Sequence, residues 1–333
     1  MKYQSTLKDN KAQCLICPRK CILGESQRGF CHVRQNIGGE IILTSYGYNT
    51  GLAIDPIEKK PLYHFYPGSK TLSFGTLGCN MGCMFCQNWH ISKSKKNPEN
   101  LLKISPEQIA LLAKKENCKS VAFTYNDPVI FFEYAIDTAK ECHKLGIKTV
   151  AVTAGYINPG PRAEFFEHMD ATNIDLKAFN NEFYKKLCLA DIEPILDTIK
   201  YVKNETNCHL ELTTLLIEGY NSSEKEITEE CDWIVKNLGE DVPLHFSAFF
   251  PAWKLQNVPP TNPETLFKAY EIAKKAGIRY IYTGNIIDEK GSTTYCHNCK
   301  KAIIKRRGHV ITEYNLKESG VCKFCGEKCL GVF

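Results

Sequence analysis

The sequence predicts an α/β protein: a partial (β/α) barrel of about six or seven parallel strands with small Cys-rich metal-binding appendages at both ends. Three observations lead there. Between about residues 71 and 290, short runs rich in β-branched and aromatic residues alternate with amphipathic stretches, the pattern of repeated β/α units. Unusual polar residues fall where those runs end, which in α/β barrels is the end that carries chemistry. The cysteines gather mainly before and after this region and at its start.

The strand candidates, in order, are TLSFGTL, SVAFTY, KTVAVTA, ATNIDLK, HLELTTLLI, PLHFSAFF and RYIYTG. The helices between them carry start and stop signals. Ser105 before Pro106 opens one, Ser223 with Glu226 has the spacing of a capping box, and Asn262 before Pro263 opens another that Gly277 ends. The chain divides on this reading into a Cys-rich segment 1–70, the barrel 71–290 and a C-terminal zinc-ribbon-like module 291–333.

With 333 residues, 43% of them hydrophobic and 24% charged, one large core is expected. A net charge of +5 without a long basic arm does not call for nucleic acid. The polar start MKYQSTLKDNKAQ lacks the apolar stretch of a signal peptide, and no apolar run reaches membrane-spanning length. A cytoplasmic location with no membrane partner is the expectation. In a reducing compartment the 17 cysteines stay thiols, so clustered ones read as metal ligands. Cys118, Cys142, Cys188, Cys208 and Cys231 stand alone and read as small buried hydrophobes.

The stretch GCNMGCMFCQNW places Cys79, Cys83 and Cys86 after the first strand. Gly78 and Gly82 disfavour a regular helix and favour a tight loop. A 4Fe-4S cluster normally takes four thiolates, so three would leave one iron open unless a distant residue completes the set. An open position distinguishes a reactive metal site from a closed structural one. At or near later strand ends stand Asn126 and Asp127, Thr153, Asp175 and Lys177, His245, and Asn285. Asp175 and Lys177 are two apart, so as strand residues they share a face. A lone His is more often structural than a ligand, and Asn285 also suits a turn.

At the C-terminus, Cys296-x2-Cys299 and Cys322-x2-Cys325, separated by 22 residues, have the two-knuckle spacing of a structural zinc site, with Cys329 as a spare. KKAIIKRRGHVITEYN between them reads as a basic β-hairpin whose Lys300, Lys301, Lys305, Arg306 and Arg307 either face solvent or meet a phosphate backbone. Near the N-terminus, Cys14, Cys17, Cys21 and Cys31 total four, with spacing that leaves zinc and an auxiliary iron-sulfur cluster both open.

C-x3-C-x2-C with Phe85 before the last Cys resembles the radical S-adenosylmethionine (SAM) enzymes. Further segments, YGYNTGLAIDPIEKKPLYHFYPGS, FTYNDP, NIDLKAF, TTLLIEGYN, HFSAFFP and YTGN, resemble the radical SAM member of the AmmeMemoRadiSam system, a relative of the pyruvate formate-lyase activating enzymes. The resemblance implies a site-differentiated 4Fe-4S cluster on Cys79, Cys83 and Cys86 that reductively cleaves SAM to a 5′-deoxyadenosyl radical. It implies Phe85 beside the adenine and Asn126-Asp127 where the activating enzymes hold the SAM ammonium, with Asp in place of the Glu expected in close relatives. It likewise implies Lys177 facing the SAM carboxylate with Asp175 beside it, and Thr153 and His245 touching SAM. Implied partners are an electron donor (reduced ferredoxin or flavodoxin) and either AMMECR-like and Memo-like proteins or a glycyl radical enzyme. A reading of another class is a non-enzymatic zinc or iron-sulfur scaffold that binds RNA through the basic hairpin.

Overall fold

The computed structural model describes residues 2–333. Eight principal strands follow one another as β1 (Tyr48–Pro56), β2 (Lys70–Gly75), β3 (Ser120–Phe123), β4 (Lys148–Thr153), β5 (Ala171–Asp175), β6 (His209–Leu216), β7 (Leu244–Ala248) and β8 (Ile281–Gly284). From β2 to β8 each lies parallel beside its successor. All seven predicted runs are therefore strands of one sheet. β1 pairs antiparallel with β2 at the edge. The barrel sheet thus begins inside the expected segment 1–70, because Tyr48–Pro56 completes the hydrogen bonding of β2.

One long helix lies between each consecutive pair of parallel strands: α1 (Pro106–Lys115), α2 (Phe132–Lys144), α3 (Pro159–Glu167), α4 (Glu193–Glu205), α5 (Glu224–Leu238) and α6 (Pro263–Ala276). At α1 the Ser105 side chain accepts from the Gln108 amide while Gln108 reaches back to the Ser105 amide, a complete capping box. At α5 only half of the predicted box forms. Ser223 accepts from the Glu226 amide, but the Glu226 carboxylate turns away to the Phe179 amide and the Asn180 side chain. Asn262 caps α6, and Gly277 ends it at φ +103°, the left-handed conformation that glycine adopts without penalty.

The lower interior of the barrel is filled by residues 61–65, not by layers of strand side chains alone. The Glu211 carboxylate, fully buried on β6, accepts from the Tyr63 and His64 amides at 3.0 and 2.7 Å. His245 on β7 and His209 meet the same carboxylate at 2.7 and 3.0 Å. Burial alone would raise Glu211, yet the hydrogen bonds from the two histidines hold it well below the usual carboxylate range.

The C-terminal module begins as a three-stranded antiparallel sheet whose hairpin, β9 (Ala302–Arg307) and β10 (Val310–Tyr314), matches the predicted ribbon. One member of the expected basic patch is not on its surface. The Arg306 guanidinium is buried, donates to the Tyr63 carbonyl at 2.9 Å, lies 4.1 Å over the Tyr63 ring and faces Glu58. Lys305 pairs with Glu313 at 2.8 Å. The inward arginine joins the ribbon to the barrel filling, which removes it from any phosphate-binding surface. Among the described residues, no helix is long and apolar enough to cross a membrane.

On the outer layer, Glu230 of α5 is buried and its carboxyl accepts from the Thr214 hydroxyl on β6. Burial raises this carboxyl to about 8, whereas an unfolded glutamate loses its proton near about 4.3. Between those values the folded chain holds the extra proton, so stability falls as pH rises, with a slope approaching about 1.4 kcal/mol per pH unit. Glu230→Gln removes this contribution. Denaturation midpoints measured from about pH 5 to about pH 8 should fall less for the variant than for wild type, the difference widening with pH; parallel curves would contradict the assignment.

Candidate active site

The loop after β2 has almost no repeating structure, and its neighbours supply its shape. At Gly78 the backbone is left-handed (φ +83°), and a Cβ there would come within 1.9 Å of the Cys31 carbonyl oxygen, so no side chain fits. Asn126, at the end of β3, accepts from the Thr76 amide at 3.1 Å and donates to the Gly78 carbonyl at 2.9 Å. Lys93 donates to the Met81 carbonyl at 2.6 Å. The Gly82 and Met84 amides donate to the Cys188 and Leu187 carbonyls at 2.7 and 2.8 Å. These bonds satisfy a backbone that forms no ladder of its own.

The loop brings Cys79, Cys83 and Cys86 to one cavity of about 150 Å³. Asn126, Asp127, Thr153, Asp175 and Lys177 line the same space, so strands β3, β4 and β5 deliver polar groups to it from their C-terminal ends. A larger hollow of about 930 Å³ lies at the opposite end of the strands, beside Lys148 and Asp170, and contains none of the three thiols.

Charge in the cavity is arranged by pairs. Lys177 meets Asp175 at 2.8 Å. Burial would lower its ammonium, but Asp175 and the Cys83 thiol raise it well above the usual range, so it stays charged. Asp127 is buried, and burial raises its carboxyl despite three donors: the Val129 amide and Thr153 hydroxyl on Oδ1, and the Ala154 amide on Oδ2. A carboxylate offers about four acceptor positions, so one on Oδ2 is left for a cation. Thr153 acts through this contact, since its hydroxyl is spent on Asp127 and its oxygen accepts from the Gly155 amide.

Two residues expected at the site lie apart from the cavity lining. His245 is held by Glu211 and packs edge-on against Tyr63 at 4.9 Å, within the barrel filling. Phe85 is buried with its ring 5.6 Å from Phe183. Asn285 adopts φ +61° and donates to the Ala248 carbonyl, the behaviour of a turn residue. Sequence reasoning missed Lys93 and Ser92, which line the cavity; Ser92 Oγ stands 3.1 Å from Cys86 Sγ. Their short helical turn has no periodic signal to mark it. Cys188 was also missed. It neighbours Cys83, and this neighbour lowers the Cys83 thiol, while burial and Cys83 push Cys188 up. Cys188 does not line the cavity.

The thiol groups differ in spacing. Cys296 and Cys325 stand 3.6 Å apart and Cys299 and Cys322 3.8 Å apart, and all four sulfurs lie within 4.8 Å of one another. Bonds of about 2.3 Å to one tetrahedral zinc put sulfurs about 3.8 Å apart, so this set fits a single ion. Cys325, not Cys329, completes it: the Cys329 thiol is buried 3.8 Å from His64 Nδ1. Among the described residues no other group of three His, Cys, Asp or Glu ligands is that tight. Cys79, Cys83 and Cys86 instead all border one cavity with Asp127, Asp175 and Lys177.

Comparison with known proteins agrees with this geometry. Residues 74–231 match the radical SAM superfamily. The chain is 41% identical over 327 residues to uncharacterized protein MJ0808 of Methanocaldococcus jannaschii, covering 98% of this chain and 97% of that one. It is 26% identical over 155 residues to the 4-hydroxyphenylacetate decarboxylase activating enzyme of Clostridium scatologenes, covering 46% and 47% of the two chains. Among solved structures, SuiB of Streptococcus suis bound to precursor peptide SuiA aligns over 69% of this chain and 51% of its own, with TM-score 0.52 and 14% identity, a likeness of fold. The chain thus belongs, over nearly its whole length, to one family with the Methanocaldococcus protein, and residues 74–231 match the radical SAM superfamily.

Proposed function

We propose that this protein is a radical SAM enzyme that abstracts a hydrogen atom from a protein partner or small molecule, acting within an AmmeMemoRadiSam system. The observation that carries the reading is the grouping of three thiols, without a fourth in the lining, with Asp127, Asp175 and Lys177 around one cavity at the C-terminal ends of the strands. A 4Fe-4S cluster on Cys79, Cys83 and Cys86 would supply the electron that cleaves SAM to a 5′-deoxyadenosyl radical.

The chain's own residues prepare the site for such a cosubstrate. Lys177, kept charged by Asp175, offers N–H donors to a carboxylate. The remaining acceptor position of Asp127 offers a charge-assisted hydrogen bond to an ammonium, and binding a cation there would offset the burial that disfavours its ionised form. Asn126 and Lys93 fasten the backbone of the loop that carries the three thiols. His245, bound to Glu211, supports the barrel filling and is not assigned to SAM. The terminal quartet would hold zinc as a structural ion.

The similarity to an activating enzyme over about half of the chain favours a second reading, activation of a glycyl radical enzyme. Both readings use a reduced ferredoxin or flavodoxin as electron source and share the same first step. AMMECR-like and Memo-like proteins are the partners of the first reading.

Two tests follow. Anaerobic incubation with SAM and reductant should release 5′-deoxyadenosine and methionine. Cys83→Ala should reduce that release to the protein-free background and remove any SAM-dependent change in the electron paramagnetic resonance spectrum; retained cleavage would refute the cluster assignment. For the terminal site, Cys322→Ser should lose about one zinc per chain by elemental analysis and make the region after residue 290 sensitive to protease, since structural zinc supplies folding free energy directly. Unchanged zinc would refute that assignment.

A further inference from the structure

Tyr125, between the end of β3 and Asn126, has no part in the chemistry described above, yet the fold holds it in an unfavourable conformation. The Asn126 amide donates to the Thr124 carbonyl at 3.0 Å, so the chain reverses across Tyr125 alone, with φ +69°. This is the rare, strained hand of the three-residue turn. Glycine adopts such a backbone freely, whereas for an aromatic residue it is an outlier. Strain of this kind persists only where the surroundings over-determine the conformation, and it collects at functional sites.

Contacts from other parts of the chain hold the residue there. Its hydroxyl donates to Asp55 Oδ2 on β1 at 3.1 Å. Burial and the Asp55 charge push that hydroxyl up to about 12, so it keeps its proton and stays a donor. Asp55 is itself buried and fixed by Lys60 at 2.7 Å and Lys59 at 2.9 Å. Burial would raise its carboxyl, but the two lysines hold it well below the usual carboxylate range. The buried Lys60 ammonium also lies 4.8 Å from the centre of the Tyr125 ring. β1 makes room for the ring with Gly51, where a Cβ would come within 2.9 Å of it. The Tyr125 carbonyl accepts from the side chain of Asn88, just beyond the cysteine loop, at 2.9 Å.

The turn stands where it bears on the site. Thr124, Tyr125, Asn126 and Asp127 all border the cavity that the three thiols share. Asn126 fastens the cysteine loop at Thr76 and Gly78, and Asp127 carries the acceptor position left open for a cation. The direction of both depends on the reversal at Tyr125. We propose that Tyr125 is a positioning residue for the cosubstrate, anchored through its hydroxyl to Asp55 so that the strained turn aims Asn126 and Asp127 into the cavity. The inference rests on the reading that this cavity binds SAM. Lys59 and Lys60 belong to the same device, since they keep Asp55 ionised and in place.

The full chain, reconstituted with iron and sulfide under anaerobic conditions, is compared as wild type, Tyr125→Phe and Tyr125→Gly. Phe keeps the ring and loses the hydroxyl anchor, whereas Gly makes the turn without strain and loses every side-chain anchor. SAM binding measured by calorimetry should weaken about threefold for Tyr125→Phe and about tenfold for Tyr125→Gly. The KM for SAM in 5′-deoxyadenosine release should rise in parallel while kcat stays within about twofold, the mark of lost ground-state binding. Iron per chain should match wild type in both variants. Unchanged SAM affinity in Tyr125→Gly would overturn the inference, because the conformation of the turn would then suffice without its anchor. Loss of iron from both variants would also overturn it, since that is the result of a merely structural role beside the cysteine loop. A wild type that binds no SAM would refute the proposed function and this inference together; wild-type binding with unaltered variants refutes this inference alone.

Discussion

The site depends on a loop that cannot hold itself. Between Thr76 and Cys86 the backbone makes neither helix nor sheet, yet it is buried, and buried amides and carbonyls need partners. Each partner comes from a different part of the chain: Asn126 from the next strand's end, Lys93 from a short turn, the Leu187 and Cys188 carbonyls from the connection after β5, and Arg19 from the N-terminal segment. These outer contacts shape the loop from which the three thiols face one space. The glycines serve the same end: Gly78 admits the Cys31 carbonyl and Gly82 admits the Leu189 side chain, where a Cβ would lie 2.7 Å from the Leu189 side chain.

The barrel filling explains why chemistry is confined to one end. Glu211 is a buried carboxylate that is stable there because four donors converge on it, two of them backbone amides of Tyr63 and His64. It thereby fastens the segment 61–65 inside the strands. The chain's last residues add to this plug, since the Val332 amide and carbonyl bond to His64 and Tyr66 at 2.7 and 2.6 Å. Arg306 ties the ribbon to the same segment. The lower interior is therefore packed protein, and the open, polar part is the rim where the cysteine loop, Asp127 and Lys177 meet.

Strand order was legible in the sequence because each parallel strand of this sheet is buried on both faces and reads as a run such as SVAFTY or KTVAVTA. The terminal cysteine quartet was legible because ligands on short loops must be close in sequence. What could not be read is pairing across distance. His245 has the appearance of a site residue, but it lies at the start of β7 rather than at its C-terminal end, and its partner Glu211, 34 positions away, turns it into a support. Arg306 reads as surface charge until its contact with Tyr63, 243 positions earlier, is known. Cys188 reads as one more buried thiol, and only the folded connection after β5 brings it to Cys83. The expected capping box at Ser223 failed for the same reason, because the Phe179 amide and Asn180 side chain compete for the Glu226 carboxylate.

Thiols alone do not decide which metal a group takes, since zinc and iron-sulfur clusters both accept four of them. The deciding length is set by the turns between the ligands. In the terminal ribbon each Cys-x2-Cys pair lies in the same tight turn: the Lys300 amide bonds to the Cys296 carbonyl and the Gly326 amide to the Cys322 carbonyl, each at 3.0 Å, with Lys300 and Gly326 left-handed at φ +61° and +79°. Two such knuckles facing each other aim four sulfurs at one point. The N-terminal thiols are arranged otherwise. Cys14 lies on a strand, Cys17 and Cys21 on the turn that follows, and Cys31 on a separate loop braced against Gly78. The Cys31 carbonyl and Arg19 thus join the N-terminal segment to the loop that lines the cavity.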